Sequence, residues 1–327
     1  MIDSHIHFGD DSPEVLAFLD EHDLKLLNIC VVLDSSRDWR AQANLYGDLA
    51  NRHPNRFAWC TSFDLPQPTD NQTDQADYVD RVCAELAEDF ANGAIACKIW
   101  KNIGMEQRKA DGSFMLPDDP LLDPILDFVA KRDRTLLCHI AEPLECWMPL
   151  NPDGVHYGYY SRNPEWHMYG KTDFPSHTML MAARDHMVEK HPKLRVVGAH
   201  FGSHEYSMAE VAKRLDRYPN YAVDISARLG DIARQDTEVV RDFLIQYADR
   251  VFFGTDFVLS QPLSMMQSET RQNVLNDWRD NYRTHWQYFE RSDVLMIRNR
   301  STKGLGLPDE TLHKFYGDAV RHWYSGL

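Results

Sequence analysis

The sequence predicts an α/β chain folded as a (β/α)8 TIM barrel, and two observations carry that expectation. Eight short β-rich runs recur along the chain, several almost continuously apolar, as strands buried on both faces require. Each is followed by a longer stretch with helical periodicity, the rhythm of parallel strands joined by crossover helices.

The expected strands are Ile2–His7, Lys25–Leu33, Phe57–Phe63, Ala94–Ile99, Thr135–Ile140, Arg195–His200, Tyr221–Ile225 and Arg250–Gly254. Between them the helical stretches are Pro13–His22, with proline in its first turn, Asp38–Arg52, Gln75–Phe90, Leu121–Arg132, Ser176–His191, Glu205–Arg217 and Thr237–Tyr247. Short Pro- and Asn-containing segments such as His191-Pro192-Lys193 and Tyr218-Pro219-Asn220 stop a helix before the next strand begins. Eight units of this kind admit an open doubly wound sheet or a closed barrel. The 327 residues exceed the ~250 of a plain barrel, and two excursions account for the surplus. One leaves the fifth strand (Ala141–Pro175), the other the eighth (Phe257 to about Ser301), and a final helix, Pro308–Tyr324, closes the chain. No repeat or low-complexity segment divides it, so a single domain over 1–327 is expected.

Composition narrows the function classes. With 35 Lys and Arg against 50 Asp and Glu the formal charge is −15, and no basic cluster suits a phosphate backbone, which excludes nucleic acid as the expected partner. No apolar run approaches the ~20 residues of a membrane span, and the Met1-Ile2-Asp3-Ser4-His5 start lacks signal-peptide character, so a cytoplasmic protein is expected. The six cysteines form no C-x-x-C pair and read as small buried thiols. A small molecule is the expected partner, with a homo-oligomer left open.

Polar residues collect where the strands end. His5 and His7 close the first strand, Lys98 stands near the end of the fourth, His139 ends the fifth, His200 the sixth, and Asp256 follows the eighth. Strand ends of this polarity form the active face of barrels. By strand alternation Asp3, His5 and His7 are expected on one face. A lone H-x-H says little, but imidazoles and a carboxylate arriving at several strand ends make a donor set for a divalent first-row cation. Zinc comes first, with manganese as the alternative. A hydrogen-bonded polar cluster without metal is the competing reading. Glu142 is placed to orient a ligand or touch substrate. Arg228, after the seventh strand, suits a substrate carboxylate, or else a loop salt bridge. Trp100 is a candidate pocket wall. No G-x-S-x-G elbow, Walker loop or dinucleotide fingerprint competes.

These motifs resemble the amidohydrolase-2 group of the amidohydrolase superfamily, the group of aminocarboxymuconate-semialdehyde decarboxylase. They are Ile2-Asp3-Ser4-His5-Ile6-His7, Lys98 in Ala96-Cys97-Lys98-Ile99-Trp100, His139 in Leu137-Cys138-His139-Ile140, His200 in Gly198-Ala199-His200-Phe201-Gly202, and Asp256 in Phe253-Gly254-Thr255-Asp256-Phe257. The resemblance implies a closed barrel, His5, His7, His139 and Asp256 as ligands of one metal ion, and His200 with Asp256 as catalytic groups. It also implies two roles for Lys98: lining the pocket as a substrate-binding residue, or, when carboxylated, bridging a second metal. The reaction expected first is hydrolysis of a lactone, ester or amide bond in a small carboxylated compound by metal-activated water, whose pKa falls from 15.7 to about 7. The alternative is nonoxidative decarboxylation or hydration of an unsaturated acid, and a further one is a non-catalytic binding barrel.

Overall fold

The computed structural model describes all residues, Met1–Leu327. Strands β1 (Ile2–Ile6), β2 (Lys25–Ile29), β3 (Phe57–Thr61), β4 (Ala94–Ile99), β5 (Thr135–Cys138), β6 (Arg195–Gly198), β7 (Tyr221–Asp224) and β8 (Val251–Phe252) form one sheet in sequence order. Every neighbouring pair is parallel. The sheet curls round until its edges meet. The Ser4 and His7 amides donate to the Phe253 and Phe257 carbonyls, and the Asp256 and Leu259 amides return to those of His5 and His7, all at 2.7–3.0 Å. These bonds join β1 to the chain leaving β8.

Helices α1 (Pro13–Glu21), α2 (Trp39–Arg52), α3 (Gln72–Ala91), α4 (Asp123–Lys131), α5 (His177–Lys190), α6 (Met208–Arg217) and α7 (Thr237–Gln246) surround the sheet. Side-chain caps from Asn71, Ser176, Ser207 and Asp236 start four of them, where amides of the first turn would lack partners. The excursion after β8 holds an eighth helix, α8 (Ser268–Glu290), and a hairpin of β9 (Val294–Ile297) and β10 (Arg300–Lys303). Trp278 and Tyr282 of α8 pack against Phe8 and Phe18, so α8 fills the outer layer beside the first unit. The closing helix bulges into a π turn at Lys314–Asp318. No helix is long and apolar enough to cross a membrane.

One expectation about β1 is corrected. The register shifts between Asp3 and Ile6, so the alternation that would put Asp3 beside His5 is broken. Asp3 points to the helix layer, where its carboxylate accepts from Tyr282 Oη at 2.7 Å and Thr255 Oγ1 at 2.6 Å. His5 faces the barrel interior.

Inside the barrel, Ile2, Leu27, Ala58, Leu137, Val197 and Phe252 pack with Val320, Trp323 and Tyr324 of the closing helix. The Trp323 carbonyl accepts from Thr135 Oγ1 and from Arg195 Nε at 3.0 Å, and its indole donates to the Asp249 carbonyl. Thr135 and Arg195 begin their strands, so this plug seals the N-terminal end. All six cysteines are free, five of them buried.

Candidate metal centre

The other end of the barrel carries the polar groups. His5, His139, His200, Lys98 and Asp224 are all buried there, with His7 and Asp256 half-covered. Leaving the strands for the mouth bends the backbone sharply. Ala141, His200, Phe201, Ala227 and Asp256 adopt φ between 56° and 66°, left-handed conformations that cost a non-glycine residue roughly 1–3 kcal/mol each. Such strain gathers where geometry serves a site.

Asp256 is the hub. Its Oδ1 lies 3.3 Å from His7 Nε2 and 3.7 Å from His5 Nε2, and its Oδ2 lies 4.0 Å from His200 Nε2. The His5 and His200 rings stack at 5.0 Å, and His139 meets His200 edge-on at 4.3 Å. Burial alone would raise the Asp256 carboxyl, but the hydrogen bond to His7 and the nearby His200 and His5 rings hold it far below the usual range. Burial lowers the His7 and His139 rings, and it takes His200 down to about 3, with the Arg228 charge adding to the effect. Lys98 is also lowered, mainly by burial.

Asp224, at the end of β7, sets the ring orientations. His5 Nδ1 donates to its Oδ2 at 2.9 Å, which leaves Nε2 as a lone pair facing the centre. The Asp224 Oδ1 atom accepts from the His200 amide, and His200 Nδ1 donates to the Ser226 carbonyl at 2.8 Å, freeing its Nε2 as well. Asp224 is thus fully engaged, a role that reading the strand ends for metal donors does not reveal. Asp and Ser at alternate positions closing an apolar strand were the signal for it. Lys98 Nζ sits 3.2 Å from His5 Nε2, so Lys98 belongs to the centre rather than to the outer wall.

The residues fit a divalent cation. His5, His7 and Asp256 can each offer a ligand atom, all within 4.8 Å of one another, and His139 Nε2 is buried with no partner in the protein. Three imidazoles and a carboxylate suit zinc or manganese alike. His5, His200 and Asp224 also converge, but the hydrogen bonds just described account for that group.

Glu142 and Arg228 line a cavity of about 470 Å³ beside His139, His200 and Asp256. Glu142 is not free in solvent. It pairs with Lys101 and accepts from Tyr160 Oη at 3.0 Å, while Lys101 Nζ lies 3.8 Å above the Trp166 ring and 5.0 Å from that of Trp100. Arg228 is buried, its Nε has no hydrogen-bond partner, and Glu205 is 3.9 Å away. Trp100 also stands edge-on to His139 at 6.4 Å and borders a more apolar groove of about 430 Å³ on the His7 side.

A family profile described as "Amidohydrolase", of the amidohydrolase-2 group, matches residues 2–324. The chain belongs to the amidohydrolase-2 family. It is therefore an enzyme of a metal-dependent superfamily. No curated protein matches it in sequence. Among solved structures, 4-oxalomesaconate hydratase from Rhodopseudomonas palustris shares 12% identity over 100% of this chain and 96% of its own, with a TM-score of 0.55. A 2,6-dihydroxybenzoate decarboxylase from Rhizobium shares 16% over 99% and 97%, at 0.54. A dihydroxybenzoic acid decarboxylase from a Polaromonas species, solved with manganese and the inhibitor 2-nitroresorcinol, shares 15% over 96% and 86%, at 0.53. At such identities the likeness is one of fold.

Proposed function

We propose that this enzyme is a metal-dependent lyase acting on a small unsaturated or aromatic carboxylic acid, with nonoxidative decarboxylation as its reaction. The observation that carries the acid substrate is the cavity's charge. In a chain of net charge −15, the wall presents Lys101, Arg162, Arg228 and Arg298 against Glu142 and Asp256. The Arg228 guanidinium lines this wall with its Nε turned to Glu205 at 3.9 Å and Nη1 donating to the Ala227 carbonyl, and its remaining N–H groups suit an anion. Hydrolysis, the first expectation from sequence, yields to the lyase alternative because the structural neighbours are named as decarboxylases and a hydratase.

His5, His7, His139 and Asp256 would hold the metal, zinc or manganese, and Lys98 would line the pocket beside it. The bound cation supplies Lewis acidity toward substrate oxygen. His200, neutral and with Nδ1–H committed to Ser226, offers its Nε2 lone pair toward Asp256 and steadies a proton there. The proton held between His200 Nε2 and the Asp256 carboxylate, 4.0 Å apart, passes to the substrate carbon bearing the departing carboxylate. The C–C bond then breaks, its electron pair stays with the carbon skeleton, and CO₂ leaves, so that R–CO₂⁻ and H⁺ become R–H and CO₂. A carboxylate held on Arg228 is stabilised against becoming neutral CO₂. The departing group is therefore a second carboxylate of the same substrate, lying toward the apolar groove of Leu33, Leu45 and Leu259 on the His7 side. The test is release of labelled CO₂ from a panel of carboxyl-labelled aromatic and unsaturated acids, run beside lactones and amides. CO₂ from at least one acid supports the proposal; cleavage of lactones or amides with no CO₂ from any acid refutes it.

A further inference from the structure

A second chamber of about 670 Å³ opens on the other side of Asp256, between α8 and the β9–β10 hairpin, within the usual size of a ligand site. Ala227, Asp256 and Arg298 border both this chamber and the cationic cavity, so the two adjoin at Asp256. Their linings differ. Here α8 contributes Asp277, Asp280, Asn281, Thr284 and His285, none of which the lyase chemistry uses.

His285 is only 4% exposed. Its Nδ1 donates to the Asn281 carbonyl at 2.8 Å, which fixes the proton on that nitrogen and leaves Nε2 as an acceptor. That Nε2 has no partner in the protein, and neither does the buried Oδ1 of Asn281. Burial keeps the ring neutral, lowering it to about 4. Two unpaired acceptors in one polar wall are costly unless something donates to them. Asp277, which pairs with no cation, and Asp280, engaged only by the exposed Arg283, add negative charge at the rim.

We infer that this chamber is a second substrate subsite, which takes a hydrogen-bond-donating group, hydroxyl or ammonium, on the end of the acid remote from Arg228. The inference rests on the acid-substrate reading for the other end only. Its test is calorimetric titration of the protein with benzoate, 3-(hydroxymethyl)benzoate and 3-(aminomethyl)benzoate. The two donor-bearing acids are expected to bind roughly tenfold more tightly than benzoate, one well-made hydrogen bond's worth. In His285→Phe and in Asn281→Leu that ratio should fall below about twofold while benzoate binding stays as it was, which also shows that the variants are folded. An ammonium preference over the hydroxyl that Asp277→Asn removes assigns the charged end; equal binding of the two assigns a neutral donor. Arg228→Leu should weaken all three acids alike and keep the ratio. If benzoate binding survives Arg228→Leu, the carboxylate clamp fails while the ratio still judges the chamber. A wild type with no donor preference, or variants that keep it in full, overturns the subsite.

Discussion

The two ends of the barrel share eight strands and have opposite chemistry. At the N-terminal end, Ile2, Leu27, Leu137 and Val197 meet Val320 and Trp323 in an apolar plug. A few residues further along the same strands, His5, Lys98, His139 and His200 are buried around Asp256. Burying apolar surface stabilises the fold, whereas burying these imidazoles, an ammonium and strained backbone destabilises it. The difference teaches a division of labour: the plugged end supplies stability that the open end expends on a preorganised centre. Substitutions at the two ends should therefore separate stability from activity.

The largest effect is expected from His7→Ala, which should lose bound metal and turnover together, read by metal analysis of the purified protein beside an activity assay. His200→Ala should keep its metal and slow turnover by roughly 10²–10⁴-fold; loss of metal there would exchange ligand and catalyst. Asp224→Asn, which removes the carboxylate that orients His5, should weaken metal affinity by roughly 10–100-fold, measured by competition with a chelator. At the other end Trp323→Ala should lower unfolding free energy by about 3–5 kcal/mol and leave kcat unchanged. An active-site defect in that variant would break the comparison. The smallest effect is on pH. His177 and His285, outside the centre, are each lowered by burial from 6.5 to about 4. Between those values the unfolded chain binds protons that the folded chain refuses, so stability should fall as pH drops from 6.5 to 4, and His177→Gln should flatten that slope in denaturant titrations.

The strands were legible because each is buried on both faces and shows as an apolar run. His5, His139, His200 and Lys98 were legible for the converse reason, as polar residues at the ends of such runs, where only function or pairing repays their desolvation. Asp3 was misread, because a register shift in β1 involves hydrogen bonding across strands that alternation within one strand does not encode. The role of Asp224 depends on a ring 219 residues away in the chain. The helix α8 was hidden because its exposed face is strongly polar, and its chamber exists only once the β9–β10 hairpin folds across it. The paired state of Glu142 needs Lys101 and Tyr160 from separate segments to converge.

The central claim is that imidazoles and a carboxylate, distant in sequence, surround one cation at the open end. Crystals grown with manganese and measured at its absorption edge test it most directly. A single strong anomalous peak among His5, His7, His139 and Asp256 is the result expected. No peak there, or one bound only by surface carboxylates, would contradict it.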